Sequence, residues 1–436
     1  MIVSKRRRAL ILALVALAPI ASMAVDTSPS NINDPYGVLQ AMQSGDSDRL
    51  RALAADGNAG QRAMASAALY RSLGDAARSS SESTQCVRQA REASSNDIVL
   101  ICGLIDAGND LSNGRPGKWA YKVAFLRQQL YPAYRKTQGP DFSIAPLEYV
   151  ARPEDFKRLP DAAYTLIDGV AEMPLKRFNK GPLTPMPTGI ANGVELQAGA
   201  NRFQAVFDTG SFMTLLNTAT AKALGLQVKP NWMPSSAGSA TRLGIGTVPS
   251  LALGPLKAKD VSVAISASPV LNIVGMDLIQ QLGAVRIRRH GIDVLADADA
   301  VKACQVPMRV ASALAPTGGR ILVPISVDGN AEQAFLDTGS DEFLTRYGGP
   351  QPAVAEDLGK GRHEVTMSVG GGVVRSERRA VDARVDIGTG PHTHSVRVEQ
   401  GPADAPFYVL GLPAVTEGDV VLDFRHHHAC ILKSAQ

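Results

Sequence analysis

Along the first third of the chain, apolar positions recur at helical spacing. In QRAMASAALYRSLGDAARS (61–79), Met64, Ala67, Ala68, Leu69 and Leu73 fall largely along one side of a helix. DIVLICGLIDAGNDL (97–111) reads as a buried helix and KWAYKVAFLRQQLYPAYR (118–135) as another. Residues 25–150 are therefore expected to form an α-helical domain, helical-repeat-like but without a clean repeat period. Prolines then gather in PLKRFNKGPLTPMPTG (174–189), so 151–187 reads as a linker or an extended lead-in strand. Beyond it the pattern changes to short apolar runs broken by Gly, Asn and Pro, which is the texture of all-β structure.

Within that β region the pattern repeats. ANRFQAVFDTGS (200–211) and GNAEQAFLDTGS (329–340) share an Asn, a Gln and an Ala at the same offsets before the aspartate. LNIVGMDLI (271–279) answers FYVLGLPAV (407–415), with two apolar residues and then Gly in each. Between these landmarks each copy carries a Gly-containing hairpin candidate, SSAGSATRLGIG (235–246) and MSVGGGVVRSE (367–377). Each copy closes with strands, AVRIRRHGIDVL (284–295) and DVVLDFRHHHACIL (419–432). The common order predicts a duplicated unit, with copies over 188–302 and 303–436.

Composition changes this picture little. Hydrophobic residues at 45% and charged residues at 20% suit a globular protein, and 40 glycines suit turn-rich β structure. The amino terminus matters more. MIVSKRRR is a basic segment, ALILALVALAPIA a short apolar core, and Ser22, Met23 and Ala24 end it with small residues around the cleavage position. A cleaved secretory signal is expected over 1–24, because the apolar run is short of the ~20 residues a spanning helix needs. The expected location is secreted or periplasmic. Loss of Lys5, Arg6, Arg7 and Arg8 takes the formal charge from +4 to neutral, so the charge balance gives no reason to expect nucleic acid or a membrane surface as partner. In an oxidising compartment the even cysteine count favours disulfides, Cys86–Cys102 and Cys304–Cys430, with buried free thiols as the alternative.

The chemistry follows from the duplicated DTGS. An aspartate placed directly after a buried strand, on a turn that glycine permits, can be oriented by neighbouring N–H and hydroxyl groups. One such turn could be structural; two on duplicated units would meet across a pseudo-twofold axis. Two carboxylates a few ångströms apart cannot both ionise cheaply, so they share a proton over a wide pH range; the aspartic-protease pair is the standard instance. One member can then take a proton from a water while the other stabilises the developing oxyanion.

Over roughly 170–436 the chain resembles an aspartic peptidase of the retropepsin/pepsin type, with lobes sized like fused retropepsin monomers. The motifs are Asp208-Thr209-Gly210-Ser211 with Ile273-Val274-Gly275, and Asp337-Thr338-Gly339-Ser340 with Val409-Leu410-Gly411. The resemblance implies an N-terminal α-helical domain followed by a two-lobed all-β aspartic-protease domain. It implies that Asp208 and Asp337 are catalytic, that Thr209 and Thr338 reach across to the opposite lobe, and that Gly210, Ser211, Gly339 and Ser340 orient the carboxylates. Gly275 and Gly411 would support the loops. Gly238 and Gly370, Gly371 and Gly372 would lie in substrate-covering flaps, although no pepsin-style flap tyrosine stands at a matching place in the first copy. The implied partner is an extended peptide or protein chain, held by a monomer, with no cofactor and no metal. The helical domain would be a propiece or a docking module.

Other signals are weaker. His426, His427 and His428 before Cys430 could suggest a metal tract, but alignment with RRHG (288–291) places them in a hairpin turn. Gly370–Gly372 lacks the lysine and helix of a phosphate loop, and Ser211 and Ser340 lack a nucleophile elbow. Asp341 and Glu342 are expected to face solvent. The competing readings are a catalytically silent peptide-binding protein that uses the same cleft, a peptidase whose lobes pair between chains, and an assembly protein built on the helical domain.

Overall fold

The computed structural model describes residues 35–57, 59–138, 156, 158–167, 171–179, 190–234, 240–266, 271–312, 319–347, 362–367, 373–399 and 407–434. The expected signal segment 1–24 lies outside them.

Helices come first: Pro35–Ser44, Ser47–Asp56, Ala59–Ser72, Ala76–Glu92, Asn96–Ser112 and Pro116–Phe125, the last continuing through a π turn at Leu126–Leu130 into Tyr131–Gln138. The stretch 61–79 is split where Gly74 takes a positive φ of 79°. Asp75 then caps the next helix by accepting from the Arg78 N–H at 2.9 Å. The same device occurs at Gly45 and Asp46, whose carboxylate accepts from the Arg49 N–H at 2.9 Å. Cys86 and Cys102 tie two successive helices together.

The β region begins earlier than a free linker would allow. Within the lead-in, Ala163–Leu166 pairs with Leu256–Ser266, Ala171–Pro174 with Gly291–Val294, and Lys176–Asn179 with Ile190–Ala198. Two sheets of matching connectivity follow. In the first, Ile190–Ala198, Asn201–Phe207, Ile273–Val274, Leu215–Asn217, Leu256–Ser266 and Ala240–Leu253 close into a ring. In the second, Arg320–Val327, Asn330–Asp337, Phe407–Gly411, Leu344–Tyr347, His392–Glu399 and Val373–Asp386 close in the same order. In each ring the apolar-apolar-Gly segment lies parallel to the strand leading into DTGS, as the register Val206 to Ile273 and Phe335 to Val409 records.

The closing strands of both copies unite. Ala284–Arg288 pairs with Gly418–Asp423, making one five-stranded sheet with Ala171–Pro174, Gly291–Val294 and His428–Lys433. Cys304 is bonded to Cys430 in the last of these strands. The histidine tract turns the final hairpin, with His427 at φ 59° and the His426 Nδ1 2.7 Å from an Asp423 carboxylate oxygen. Among the described residues there is no cluster suited to a metal ion.

The helical region is not an appendage. Arg71 is buried; its guanidinium donates to Ile105 O and Asn109 Oδ1 and reaches Ser312 Oγ, beyond the first ring, at 3.0 Å. Burial lowers its pKa to about 10. Gly45 packs on Leu322 and Gly74 on Met308, while Leu100, Leu104, Trp119, Leu126 and Phe156 share an apolar cluster with Val206, Leu215 and Ile273 of the first ring. A core shared in this way should unfold as one. Trp119→Ala is expected to cost about 3–5 kcal/mol and to lower the urea midpoints of the helical and strand circular-dichroism signals together. A shift confined to the helical signal would show an independent unit.

Candidate active site

Each aspartate ends a strand whose alternation decides which way it faces. Ala205 and Phe207 enter the interior of the first ring, whereas Val206 joins the separate cluster outside it. Period-two alternation therefore puts Asp208 on the outer face with Val206. Leu336 is likewise in the interior, leaving Asp337 on the outer face with Phe335. The Gly210 and Ser211 N–H groups donate to Asp208 Oδ1 at 2.8 and 3.1 Å. The Gly339 N–H donates to Asp337 Oδ1 at 3.0 Å. The serine hydroxyls turn elsewhere: Ser211 Oγ donates to Met213 O at 2.9 Å, and Ser340 Oγ accepts from the Glu342 N–H at 3.4 Å.

The two turns are locked reciprocally. Thr209 Oγ1 donates to Leu336 O at 2.8 Å and accepts from the Thr338 N–H at 3.1 Å. Thr338 Oγ1 donates to Phe207 O at 2.6 Å and accepts from the Thr209 N–H at 3.0 Å. A β-carbon on Gly210 would sit 2.5 Å from the Asp337 carboxyl, and one on Gly339 2.5 Å from that of Asp208. Each glycine thus clears space for the opposite carboxylate. Gly275 and Gly411 act one layer behind, where a side chain would overlap the backbone of Met213 and Glu342 respectively. The loops are pinned by Met276 N–H to Ser211 O at 2.8 Å and Leu412 N–H to Ser340 O at 3.0 Å.

Burial is the first electrostatic fact about the pair. It raises the Asp208 carboxyl well above its ordinary pKa, with further upward pressure from the Asp337 charge and a hydrogen bond between the two; the Gly210 and Ser211 N–H groups oppose it. Burial raises Asp337 as well. The bond from Asp208, the Gly339 and Ser340 N–H groups and the charge of Arg320 hold it down. Two carboxyls so joined retain one proton where isolated ones would have lost both.

The copies differ in their support. Behind the first turn, the Thr214 N–H and Oγ1 each donate to Asp277 Oδ1 at 2.8 Å, and the Gly275 N–H reaches Thr214 Oγ1 at 3.2 Å. Burial pushes the Asp277 carboxyl up to about 6. Pro413 stands at the matching place in the second copy. Sequence reading passed over Asp277, although its position two residues after Gly275 was a usable signal. Asp341 is exposed and the Glu342 side chain partly so, and the Glu342 carboxylate also accepts from Arg397 at 2.8 Å, with Arg397 bonded to Glu399 too.

The walls beside the aspartates also differ. Strand register sets Val206, Ile273, Leu215, Ala264 and Ile245 in one row, all buried and all within the cluster that includes the helices. The corresponding row of the second copy is Phe335, Val409, Thr345 and Arg397. The expected hairpins are present as Lys229–Pro234 with Ala240–Leu253 and as Arg362–Met367 with Val373–Asp386. Gly238, Gly370, Gly371 and Gly372 lie outside the described residues.

Asp208, buried, and Asp337, partly buried, thus stand on matching, interlocked turns, an arrangement that resembles the paired aspartates of aspartyl proteases. Residues 193–278 match the family model "Aspartyl protease", and this segment contains both Asp208–Ser211 and Ile273–Gly275. The match supports a peptidase-like function. Among solved structures, basic 7S globulin from soybean is similar at 12% identity, covering 62% of this chain and 96% of that one with a TM-score of 0.36. No curated protein matches the chain.

Two outcomes are expected from the support groups. Thr338→Val would strand the Thr209 N–H and the Phe207 carbonyl, costing about 2–6 kcal/mol at about 1–3 per orphaned group, read from urea unfolding. Asp277 binds its proton more tightly folded than unfolded. Its contribution to stability is thus complete below the ordinary carboxylate range and lost as pH rises through about 6. Asp277→Asn should flatten the fall in stability between about pH 4 and 7, by at most about 3 kcal/mol. Parallel pH profiles for the two proteins would refute the assignment.

Proposed function

We propose that the protein is an exported aspartic endopeptidase that hydrolyses peptide bonds with a water activated between Asp208 and Asp337. The two rings would be the lobes of one bilobal catalytic domain, so a single chain supplies both carboxylates. The observation that carries this reading is the reciprocal seating of the two DTGS turns: each glycine leaves room for the other aspartate, and the carboxyls, Asp208 buried and Asp337 partly so, are bonded to each other.

In the mono-ionised pair, the charged carboxylate accepts a proton from the water as its oxygen attacks the scissile carbonyl carbon. The protonated carboxyl donates to the carbonyl oxygen, stabilising the tetrahedral intermediate. Collapse of the intermediate breaks the C–N bond as a proton passes to the leaving nitrogen. Neither a metal nor a covalent enzyme intermediate is needed. An extended substrate would lie between the rings, paired by its backbone to the hairpins.

The helical region bears on access. The row next to Asp208 is buried against helices, so we read the helices between Pro35 and Gln138 as a cover that must yield before an extended chain can lie along the first wall. Self-cleavage between the helical and β regions would accomplish this; a substrate that displaces the helices would serve as well. Export rests on the leader-like terminus and accords with the two disulfides.

The test is cleavage of a mixed peptide library by the mature protein between about pH 3 and 8, with a statine-type inhibitor as control. Asp208→Asn and Asp337→Asn should each reduce turnover by about 10²–10⁴-fold. Amino-terminal sequencing of the incubated protein would reveal self-cleavage. Cleavage that survives in both variants would be a contaminant's. Inactivity of the intact and processed forms, with retained peptide binding, would favour the silent peptide-binding reading.

A further inference from the structure

The two carboxyls share equivalent turns but not equivalent neighbours. Arg320 opens the strand Arg320–Val327, which pairs with Asn330–Asp337 in the register Leu322 to Phe335. Continued outward by two residues, that register brings Arg320 level with Asp337, on the same outer face as Phe335. The guanidinium lies over the Phe335 ring, 5.4 Å from its centroid, and the ring itself is buried. A cation stacked there is held beside the strand and partly shielded from water, so its field at Asp337 is screened less than a fully exposed arginine's would be. In the first copy the equivalent register, Gly193 to Val206, puts Ala191 in this position.

We propose that Arg320 is a positioning residue that fixes the division of labour in the pair: its charge makes Asp337 the ionised member and leaves the shared proton on Asp208. This rests on the peptidase reading and deepens it, because it assigns the base to Asp337 and the acid to Asp208. The other charged or titratable groups around Asp337 do not supply the same bias. Asp208 faces it from the first copy and Tyr347 from the strand Leu344–Tyr347. Glu342, on the loop after the turn, and Glu399, on the neighbouring strand, both bond to Arg397. Asp341 adds a further acid on that loop. Arg320 is the group whose positive charge favours ionisation of Asp337, in accord with Asp337 being held below the level that burial alone would give.

The pair's titration can be read without activity, by carboxyl ¹³C NMR on the full chain. Arg320→Met should raise the first ionisation step of the pair by about one pH unit, within the range an adjacent opposite charge produces. Arg320→Lys, which keeps the charge, should leave it near the wild-type position. In an Asp208→Asn background, Arg320→Met should shift Asp337 by a similar amount; in an Asp337→Asn background it should move Asp208 much less. Equal shifts in the two backgrounds, or none in either, would overturn the proposal. If the protein cleaves peptides, the acid limb of kcat/KM should move with the first step. A clear NMR shift in a protein without activity would sustain the charge assignment and defeat the peptidase reading, so the two failures separate.

Discussion

Four hydrogen bonds made by two threonine hydroxyls hold the two DTGS turns against each other. Each hydroxyl donates to the opposite strand's carbonyl and accepts an N–H from the opposite turn, so four otherwise buried backbone groups are satisfied by two side chains. The proximity of the carboxyls depends on this lock. So does the requirement for Gly210 and Gly339, since the turns approach closely enough that a β-carbon would collide with the other aspartate. Both aspartates pay electrostatically for the closeness, and the burial that makes the lock strong also raises their proton affinities. Fold and chemistry are therefore set at one point.

The shared sheet has a complementary role. Pairing Ala284–Arg288 with Gly418–Asp423 joins strands contributed by both copies, and Arg286 adds an ion pair with Asp419 across the seam. The helices contribute a third connection, contacting the first ring through an apolar cluster and the second copy through Gly45, Gly74 and Arg71. With three such ties, relative motion of the copies is restricted.

How much of this was legible in the sequence depended on the range of the interaction. The duplicated DTGS and the two apolar-apolar-Gly segments were visible because a close approach of backbones restricts residue type at fixed positions. The histidine tract was legible as a turn by comparison with the first copy. The helix break at Gly74 was signalled by Gly-Asp but hidden by apolar residues that continued past it. The lead-in was harder: its strands are short, and only their partners at Leu256–Ser266, Gly291–Val294 and Ile190–Ala198 make them part of sheets. The packing of helices against the row Val206, Ile273 and Leu215 was not legible at all. Those residues would look equally apolar lining an open cleft, and amphipathic helices do not name the surface they cover.

The departures from pseudo-symmetry carry the most functional information, because a duplicated site inherits identical roles unless later changes separate them. Reaction at a carbonyl needs one group to accept a proton and another to donate one. A symmetric pair can place the proton on either member and depends on the substrate to break the tie. In this chain the surroundings of the two carboxyls differ at several places. Asp277 and Thr214 stiffen the first turn where Pro413 follows the second; a buried apolar row flanks Asp208, while Thr345 and the ion-paired Arg397 stand on the wall beside Asp337. Arg320 adds charge on the same side. The first aspartate thus sits in the less polar setting, where a neutral carboxyl is cheaper, and the second in the more polar one, where a carboxylate is. The duplication supplies the two carboxyls, and the surroundings it leaves them are not equivalent.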